Sequence, residues 1–371
     1  MNKTCKRIAI VGPAPPFRGG IALFALHLGK ELANAGHLPK FFNFKEQYPS
    51  FLFPGGDQFD ELSDCGNIPM ERVYTPYLPW TWPAAIKRIR DYQPDLVIFS
   101  YWLPFFAPSS GWIARALRKS RIVFLAHNIE SHEKWPFAAL LREYALAQAD
   151  RIILLSQACF KDLNRFLPLK IASKGLQGFH PIYPPFDLPQ KPQTDMRPTL
   201  LFFGLIKPYK GLDLLLKALS LVRKELPEIH LIISGAVYGS FEPYQEIIDT
   251  LDLSGNIELN LRYVNEKELG EFFLRSQLCV LPYKTATQSG VIANSYSYDI
   301  PVLATNVGGL SEYIIEEKTG YLVAPEQPQE MAGAILRHFK EQRLSAMQTE
   351  IKAYKDQYSW TKLAKLILEQ C

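Results

Sequence analysis

Short, almost uninterrupted apolar runs alternate with helical patterns along most of the chain, and no other feature constrains the fold as strongly. In the first half the apolar runs fall at residues 8–11, 96–100, 122–126 and 152–155. Runs that are apolar on both faces are what parallel strands require when helices cover both sides of their sheet. Helical patterns fill the gaps at residues 21–35, 111–119, 137–149 and 158–166. The first half is therefore predicted to be a doubly wound α/β domain.

The alternation stops between residues 178 and 198 and then starts again. Six prolines fall in this stretch, which is typical of a linker between domains. After it, apolar runs at 200–203, 230–234, 257–260, 278–281 and 302–304 alternate with helical patterns at 212–224, 244–251 and 266–276. We predict two Rossmann-like domains, over residues 1–185 and 186–355. A C-terminal helix over 356–371 is a candidate to pack back on the first domain.

The overall composition argues against several classes of protein. The 41 basic and 37 acidic residues leave a net charge of +4, which is too small to indicate a nucleic-acid partner. The five cysteines lack the short paired spacings of a zinc site or a disulfide framework, and a reducing cytoplasm fits them best. No apolar run approaches the roughly 18 residues of a membrane span. We expect a cytoplasmic protein that does not cross a membrane.

Two adjacent glycines, Gly19 and Gly20, follow the first strand where a helix begins. Ligands of doubly wound domains bind at the carboxyl ends of the strands, and two such domains would leave a cleft there. Glycines at a helix start let backbone N–H groups approach an anion, and a diphosphate would suit them. The spacing is not that of a dinucleotide-binding motif. A plain tight turn is the other interpretation.

The second domain opens with a similar junction, in which Gly204, Lys207, Lys210 and Gly211 follow a buried strand. Lysines at a strand-to-helix junction point toward the ligand edge of the sheet. Their ammonium groups could neutralise the charge on a departing nucleoside diphosphate. Both lysines are therefore candidate catalytic residues, with Lys210 ahead of Lys207. Two solvated loop lysines are the alternative.

A histidine, His127, ends the strand at 122–126, and Glu130, His132 and Glu133 follow it. A histidine at the carboxyl end of a strand can hydrogen-bond a sugar hydroxyl or a phosphate oxygen. A structural cap is the alternative for His127. No H-E-x-x-H arrangement accompanies these residues, so we expect no metal site.

A polar loop and a helix start follow the strand at 278–281. Ser289 and Gly290 open the helix, where the backbone N–H groups of Gly290 and Val291 could cap a phosphate. A strand at 301–305, a loop with a Gly-Gly turn and Glu312, and a short strand at 319–323 come next. Each of these motifs alone is weak evidence for a function, but their order and spacing along the chain are much more specific.

This order of motifs resembles the large family of retaining glycosyltransferases with the GT-B fold, which includes glycogen synthases and bacterial cell-envelope mannosyl- and glucosyltransferases. The resemblance extends over the whole chain. It rests on Gly19, Gly20, His127, the loop 204–211, Gly290, Pro301, Val302, Gly308, Gly309, Glu312 and Gly320.

The resemblance implies two Rossmann-like domains that face each other across a cleft. The C-terminal domain would hold a nucleotide-diphosphate sugar as co-substrate, and the N-terminal domain a glycan or lipid-linked acceptor. No further cofactor and no metal are implied, and the absence of a D-x-D triplet agrees. Retention is usually described in this family as front-face attack without an enzyme nucleophile. Orientation and charge stabilisation then carry the catalysis.

Two departures from the family pattern affect the donor site. The family has glutamates at two positions eight residues apart, where this chain has Thr287 and Ser295. The usual arginine after the glycine of the second-domain loop is Leu205 here, and Lys207 is a candidate to replace it. The chain thus resembles a divergent subgroup, in which Gln288 and Ser289 are candidates to supply the lost polar contacts. The implied donor-binding residues are Gly19, Gly20, Gly204, Thr287, Gln288, Ser289, Gly290, Val291, Ser295 and Glu312.

Aromatic residues at 77–82 precede a basic helical face with Lys87, Arg88 and Arg90. Such a face could rest on an anionic bilayer at the inner side of the plasma membrane and present a lipid-linked acceptor. Ordinary packing is the other interpretation. The aromatic run at 41–44 is predicted to be a buried strand.

Three functions are compatible with these residues. The first is hexose transfer from a nucleotide sugar in the synthesis of envelope polysaccharide or glycolipid. The second is epimerisation of a nucleotide sugar, which the missing glutamates disfavour. The third is a non-catalytic protein that binds sugar nucleotides or serves as a scaffold for a partner. Gly19, Gly20, His127 and Lys210 disfavour a scaffold, because a scaffold needs no anion-binding groups.

Overall fold

A computed structural model describes residues 5–49, 58–59, 65–130, 136–185, 197–286 and 289–369. The chain divides into two compact units. The first unit consists of residues 1–181 and 359–371, and the second of residues 182–358. The central part of the predicted linker, residues 186–196, lies outside the described residues.

The first unit is built on a parallel sheet of seven strands within the described residues, with the spatial order 3-2-1-4-5-6-7. The strands are β1 (Arg7–Val11), β2 (Leu38–Phe44), β3 (Met70–Tyr74), β4 (Leu96–Tyr101), β5 (Arg121–Ala126), β6 (Arg151–Leu154) and β7 (Gly175–Gln177). Every residue of β4 is buried, as a central strand covered on both faces requires.

Helices cover this sheet, and their bounds are α1 (Gly20–Asn34), α2 (Trp82–Tyr92), α3 (Ala107–Ala116), α4 (Ala138–Leu146), α5 (Gln157–Phe166) and α6 (Leu169–Ala172). The helix prediction for residues 111–119 is wrong at both ends. Helix α3 begins at Ala107 because Pro108 fits the first turn, where its missing N–H costs nothing.

The second unit contains a parallel sheet of six strands in its described part, with the order 10-9-8-11-12-13. The strands are β8 (Thr199–Phe203), β9 (His230–Ser234), β10 (Ile257–Asn260), β11 (Leu278–Leu281), β12 (Val302–Thr305) and β13 (Gly320–Val323). The helices are α7 (Leu212–Glu225), α8 (Glu242–Thr250), α9 (Glu266–Leu274), α10 (Gly290–Ser297), α11 (Pro328–Lys340) and α12 (Leu344–Lys355).

The last helix, α13 (Trp360–Glu369), belongs to the first unit although it follows the second along the chain. It packs against α1, where the ring of Trp360 lies 4.8 Å from the ring of Phe24. Its buried residues recur at Trp360, Leu363 and Ile367, which is the spacing of one helix face.

The strand order places one switch point in each sheet. Chain connections run in opposite directions from β1 and β4 in the first unit and from β8 and β11 in the second. In doubly wound sheets a crevice opens at the carboxyl ends of the two strands that flank such a point. The predicted glycine loops follow β1 and β8. The topology therefore places both loops where this fold binds ligands. No helix in the described part of the chain is long and apolar enough to cross a bilayer.

Candidate functional site

The loop after β8 makes a tight turn around two glycines with positive φ. Gly204 has φ 110° and Gly211 has φ 68°. A Cβ on Gly211 would lie 1.9 Å from the carbonyl oxygen of Pro282, which follows β11. The loops after β8 and β11 are thus in backbone contact at the switch point, and only glycine permits this approach.

Lys210 ends the short 3-10 turn Pro208–Lys210 in this loop. Its Nζ donates a hydrogen bond of 3.0 Å to the Tyr283 hydroxyl, and lies 4.9 Å from the centre of that ring. A Cβ on Gly204 would be only 3.0 Å from the same ammonium. Glycine at 204 therefore leaves the space that the lysine head occupies.

The charge of Lys210 is held without a carboxylate. Desolvation lowers the pKa of Lys210, but Tyr283 and Tyr209, together with the hydrogen bond to Tyr283, raise it above its ordinary value. The group is therefore an ammonium at neutral pH. Among the described residues, Lys210 forms no ion pair with a carboxylate, whereas Lys284 in the neighbouring loop lies 3.1 Å from Asp213. A partly buried cation with neutral neighbours attracts an anion.

Lys207, the second predicted lysine, lies at the start of the same turn. Its Nζ is 4.3 Å from the ring centre of Tyr238, a cation–π distance. Tyr238 is half exposed. The structure therefore places Lys207 on the outer side of the loop, beside an accessible aromatic ring.

Three contacts fix Tyr283 and the loop that carries it. The Lys284 N–H donates to the Tyr209 carbonyl at 2.7 Å, and the Thr305 hydroxyl donates to the Tyr283 carbonyl at 2.5 Å. The ion pair of Lys284 with Asp213 adds a third tie. Sequence reasoning assigned no role to Tyr283. The only available signal was its place directly after β11, at the edge where ligands bind.

Helix α10 begins where the sequence predicted. Ser289 is its N-cap, and its hydroxyl accepts a hydrogen bond of 3.3 Å from the Val291 N–H. This N–H was predicted to face a phosphate, and in the structure it is directed to Ser289 instead. Gly290 is the first residue of the helix and is partly exposed. Thr287 and Gln288 lie outside the described residues.

Two other predicted donor contacts differ in accessibility. Ser295 is fully buried, and its hydroxyl donates to the Ile300 carbonyl at 2.8 Å. The Ser295 side chain thus binds backbone of its own domain, because the position faces the core. Glu312 is partly exposed and lies in the short turn Leu310–Tyr313.

The loop after β1 leaves open space at its glycines. Gly19 caps α1 with φ 108°, and no atom of a described residue outside the immediate chain neighbours lies within 4 Å of a Cβ built on Gly19 or Gly20. The loop is braced from the other side by Asn43 of β2, whose amide nitrogen donates to the Ala14 carbonyl at 2.8 Å and whose oxygen accepts from the Ala14 N–H. Sequence reasoning missed this role of Asn43, although a single amide in an aromatic strand was a signal.

His127 follows β5 and is almost fully buried. Its backbone N–H donates to the Tyr101 carbonyl at 2.8 Å, and its ring packs edge-on against Phe24. Burial, and secondarily the nearby His180, lowers the pKa of His127 to about 3. The imidazole is therefore neutral at physiological pH. A neutral ring can hydrogen-bond a hydroxyl, but it cannot offset the charge of a phosphate.

The residues after His127 form a separate arrangement. Glu130, whose side chain is 44% exposed, forms an ion pair with the buried Arg142 of α4. His132 and Glu133 lie outside the described residues. Within the described part of the chain, no cluster of three or more His, Cys, Asp or Glu side chains is placed to hold a metal ion.

Two family models match the chain, one in each half. Residues 18–172 match Glycosyltransferase Family 4, and residues 186–356 match Glycosyl transferases group 1. The two matches follow each other along the chain and fall on the two parallel sheets. Each half of the chain thus matches a glycosyltransferase family, the first half family 4 and the second half group 1.

Similar structures confirm the fold class. Sucrose-phosphate synthase from Thermosynechococcus elongatus is 19% identical, with a TM-score of 0.72 and 98% of both chains covered. HepE from Anabaena, solved with UDP, is 18% identical, with a TM-score of 0.74 and 98% of both chains covered. The predicted GT-B class, with two parallel Rossmann-like sheets, is therefore confirmed.

The curated relatives are matched over part of their length. A D-inositol 3-phosphate glycosyltransferase from Paenarthrobacter aurescens is 29% identical over 174 residues, which are 46% of this chain and 42% of that protein. The matches to two further proteins of the same name cover 46% and 58% of those proteins. The chain thus spans about half the length of these relatives.

Proposed function

We propose that this protein transfers a hexose from a nucleotide-diphosphate sugar to a glycan or lipid-linked acceptor. The observation that carries the proposal is the ammonium of Lys210, which lies at the switch point of the second sheet. Its hydrogen-bond partner is a tyrosine hydroxyl, and among the described residues it forms no ion pair with a carboxylate. A fixed cation in this crevice matches the charge that develops on a departing diphosphate. Lys210 is the principal catalytic group in this account.

The second unit holds the donor. Gly204 and Gly211 let the loop after β8 approach the diphosphate closely, and the exposed N-terminus of α10 at Gly290 offers backbone N–H groups and the positive end of a helix dipole. HepE, which has the same fold, was solved with UDP-glucose. Lys207, on the outer side of the loop, contacts the nucleotide or its second phosphate.

The reaction proceeds with retention and without a metal ion. With Thr287 and Ser295 in place of the family glutamates, no carboxylate at those two positions can attack the sugar. The leaving phosphate accepts the proton of the acceptor hydroxyl, while Lys210 stabilises the phosphate charge. The protein contributes positioning and electrostatics, and no covalent intermediate forms.

The first unit takes the acceptor. Neutral His127 can accept a hydrogen bond from a sugar hydroxyl without binding a competing anion. Gly19 and Gly20, predicted to bind the donor diphosphate, leave space free of described atoms at the start of α1, where the diphosphate can approach the backbone. The acceptor is a growing glycan or glycolipid of the cell envelope, assembled on the cytoplasmic side of the membrane.

A panel of donors tests the proposal. UDP-, GDP-, ADP- and dTDP-glucose are screened by thermal shift, and the donor that stabilises the protein is then assayed for release of nucleoside diphosphate with and without an oligosaccharide acceptor. We expect the donor with one particular nucleotide to stabilise the protein most. The rate of nucleoside diphosphate release should rise when acceptor is added and should be unchanged by EDTA. Conversion of one nucleotide sugar to another without acceptor would indicate an epimerase. No stabilisation by any donor would indicate a scaffold.

A further inference from the structure

A surface of the first unit exposes large apolar side chains that no part of the proposed reaction requires. Trp80, Trp112, Phe137 and Leu140 are 74%, 52%, 76% and 67% exposed. We call these four residues the apolar face. They lie at the start of α2, in α3 and at the start of α4, and these helices pack against each other in sequence. Exposed apolar residues grouped in this way mark a contact surface.

A cavity of about 350 Å³ lies beside the apolar face. Its lining includes Tyr77, Pro79, Trp82, Phe105, Pro136 and Leu141. Trp80 directly follows Pro79, Phe137 follows Pro136, and Leu140 precedes Leu141, so the exposed residues are chain neighbours of the lining. Trp112 lies 6.1 Å from Trp82, measured between ring centres. The face and the cavity therefore form one continuous apolar surface.

Basic residues lie on the same helices, C-terminal to the aromatic positions. Helix α2 exposes Lys87, Arg88 and Arg90, and Arg115 lies one turn after Trp112 in α3. Arg118 and Lys119 follow the end of α3 and are also exposed. Acidic neighbours are fewer: Asp91 lies 3.5 Å from Lys87, Glu71 lies 3.9 Å from Arg88, and Glu143 is exposed on α4. The surface around the apolar face is therefore positively charged.

We propose that this face docks on a membrane that contains anionic lipids. Tryptophan and phenylalanine partition to the level of the lipid headgroups, and lysine and arginine beside them are attracted to anionic phosphates. The apolar cavity is suited to a segment of a lipid chain. The proposal does not depend on the transfer reaction.

Vesicle co-sedimentation tests the proposal with the intact protein. Vesicles of phosphatidylcholine mixed with phosphatidylglycerol are compared with vesicles of phosphatidylcholine alone, at low and high salt. We expect binding to the anionic vesicles that weakens as salt is added. Absence of binding to anionic vesicles at low salt would overturn the proposal.

Paired variants locate the contact. Trp80→Ala combined with Phe137→Ala should lower the partition coefficient by about tenfold or more. Lys87→Gln and Arg115→Gln should each lower it by about fivefold. Leu169→Ala and Lys365→Gln are the matched controls, because Leu169 is 83% exposed in α6 and the Lys365 side chain is 74% exposed in α13. The controls should bind as wild type does, with melting temperature confirming that every variant is folded.

Two results would contradict the lipid assignment. If the Trp80→Ala and Phe137→Ala double variant binds vesicles as well as wild type, the apolar face does not dock on lipid. If wild type is a dimer in size-exclusion chromatography, fails to bind vesicles, and becomes monomeric in the double variant, the face is an interface between two copies.

Discussion

The loops after β1 and β8 occupy equivalent places in two similar sheets, yet they are packed in opposite ways. The loop after β8 is tied to the loop after β11, through Gly211 against Pro282 and through Lys210 on Tyr283. The loop after β1 is held by hydrogen bonds from Asn43 to Ala14, and no described atom lies within 4 Å of a Cβ built on Gly19. The same strand, loop and helix arrangement is therefore packed differently in each unit. The first loop leaves room for a ligand, and the second fixes a charge.

The largest expected difference between the loops concerns their glycines. Gly211→Ala would place a Cβ 1.9 Å from the Pro282 carbonyl oxygen, so the two loops must separate, at a cost of about 4 kcal/mol in the free energy of unfolding. Gly19→Ala meets no atom of the described residues within 4 Å, so its expected cost is the backbone strain of its positive φ, about 2 kcal/mol. Urea unfolding of both variants measures the difference. Equal losses would show that the loop after β8 is no more constrained than the loop after β1.

Acid should destabilise the first unit more steeply than the second. Burial lowers the pKa of His127 to about 3 and that of His180 to about 4, both in the first unit, and lowers the pKa of His338 in the second to about 4. Between pH 6.5 and 5 these three histidines bind protons in the unfolded chain but remain neutral in the folded protein. Stability is therefore full above pH 6.5 and falls as pH falls, by up to about 1.4 kcal/mol per pH unit for each histidine.

Tryptophan fluorescence can distinguish unfolding of the first unit from unfolding of the second. All six tryptophans belong to residues of the first unit, so fluorescence reports that unit alone, whereas circular dichroism reports both. We expect the fluorescence-detected melting temperature to fall more than the dichroism average between pH 6.5 and 5. His180→Gln should make the first unit less sensitive to pH. A parallel decline by both probes would count against the histidine account.

A smaller effect is expected at Tyr283. Tyr283→Phe removes the hydroxyl that holds the Lys210 ammonium and should lower kcat by about tenfold, the scale of one hydrogen bond to a charged group, with little change in KM. Tyr244→Phe, a buried tyrosine of α8, is the matched control in the same unit. Steady-state kinetics with the preferred donor measures both. Wild-type kcat in Tyr283→Phe would show that the hydroxyl does not position Lys210.

The central strands of both sheets were predictable because their burial on both faces leaves an unbroken apolar run. Strands β3 and β7 were missed because they form the two edges of the first sheet. Met70–Tyr74 has only two buried residues, and Gly175–Gln177 has none. An edge strand is specified by its pairing with a neighbour along β2 or β6, which local sequence does not reveal.

The sequence predicted where the candidate site lies along the chain better than it predicted which side chains are in contact there. Glycines and lysines directly after strands identified the loops at both switch points. Side-chain direction was not accessible, because Ser295 and Gly290 belong to the same short helix and yet one faces the core and the other is partly exposed. The contacts of Tyr283 and Asn43 join segments distant in sequence. Such pairings depend on the folded topology.

The most direct test of the account is whether Lys210 binds the diphosphate. UDP, GDP, ADP and dTDP are titrated into wild type and Lys210→Met by calorimetry, with the matching nucleosides as controls that lack phosphate. We expect Lys210→Met to weaken binding of the preferred diphosphate by about tenfold or more and to leave nucleoside binding unchanged. The variant should be at least as stable as wild type, because it removes a partly buried cation that forms no ion pair with a described carboxylate. Equal diphosphate affinity in the folded variant would contradict the claim that Lys210 holds the leaving group.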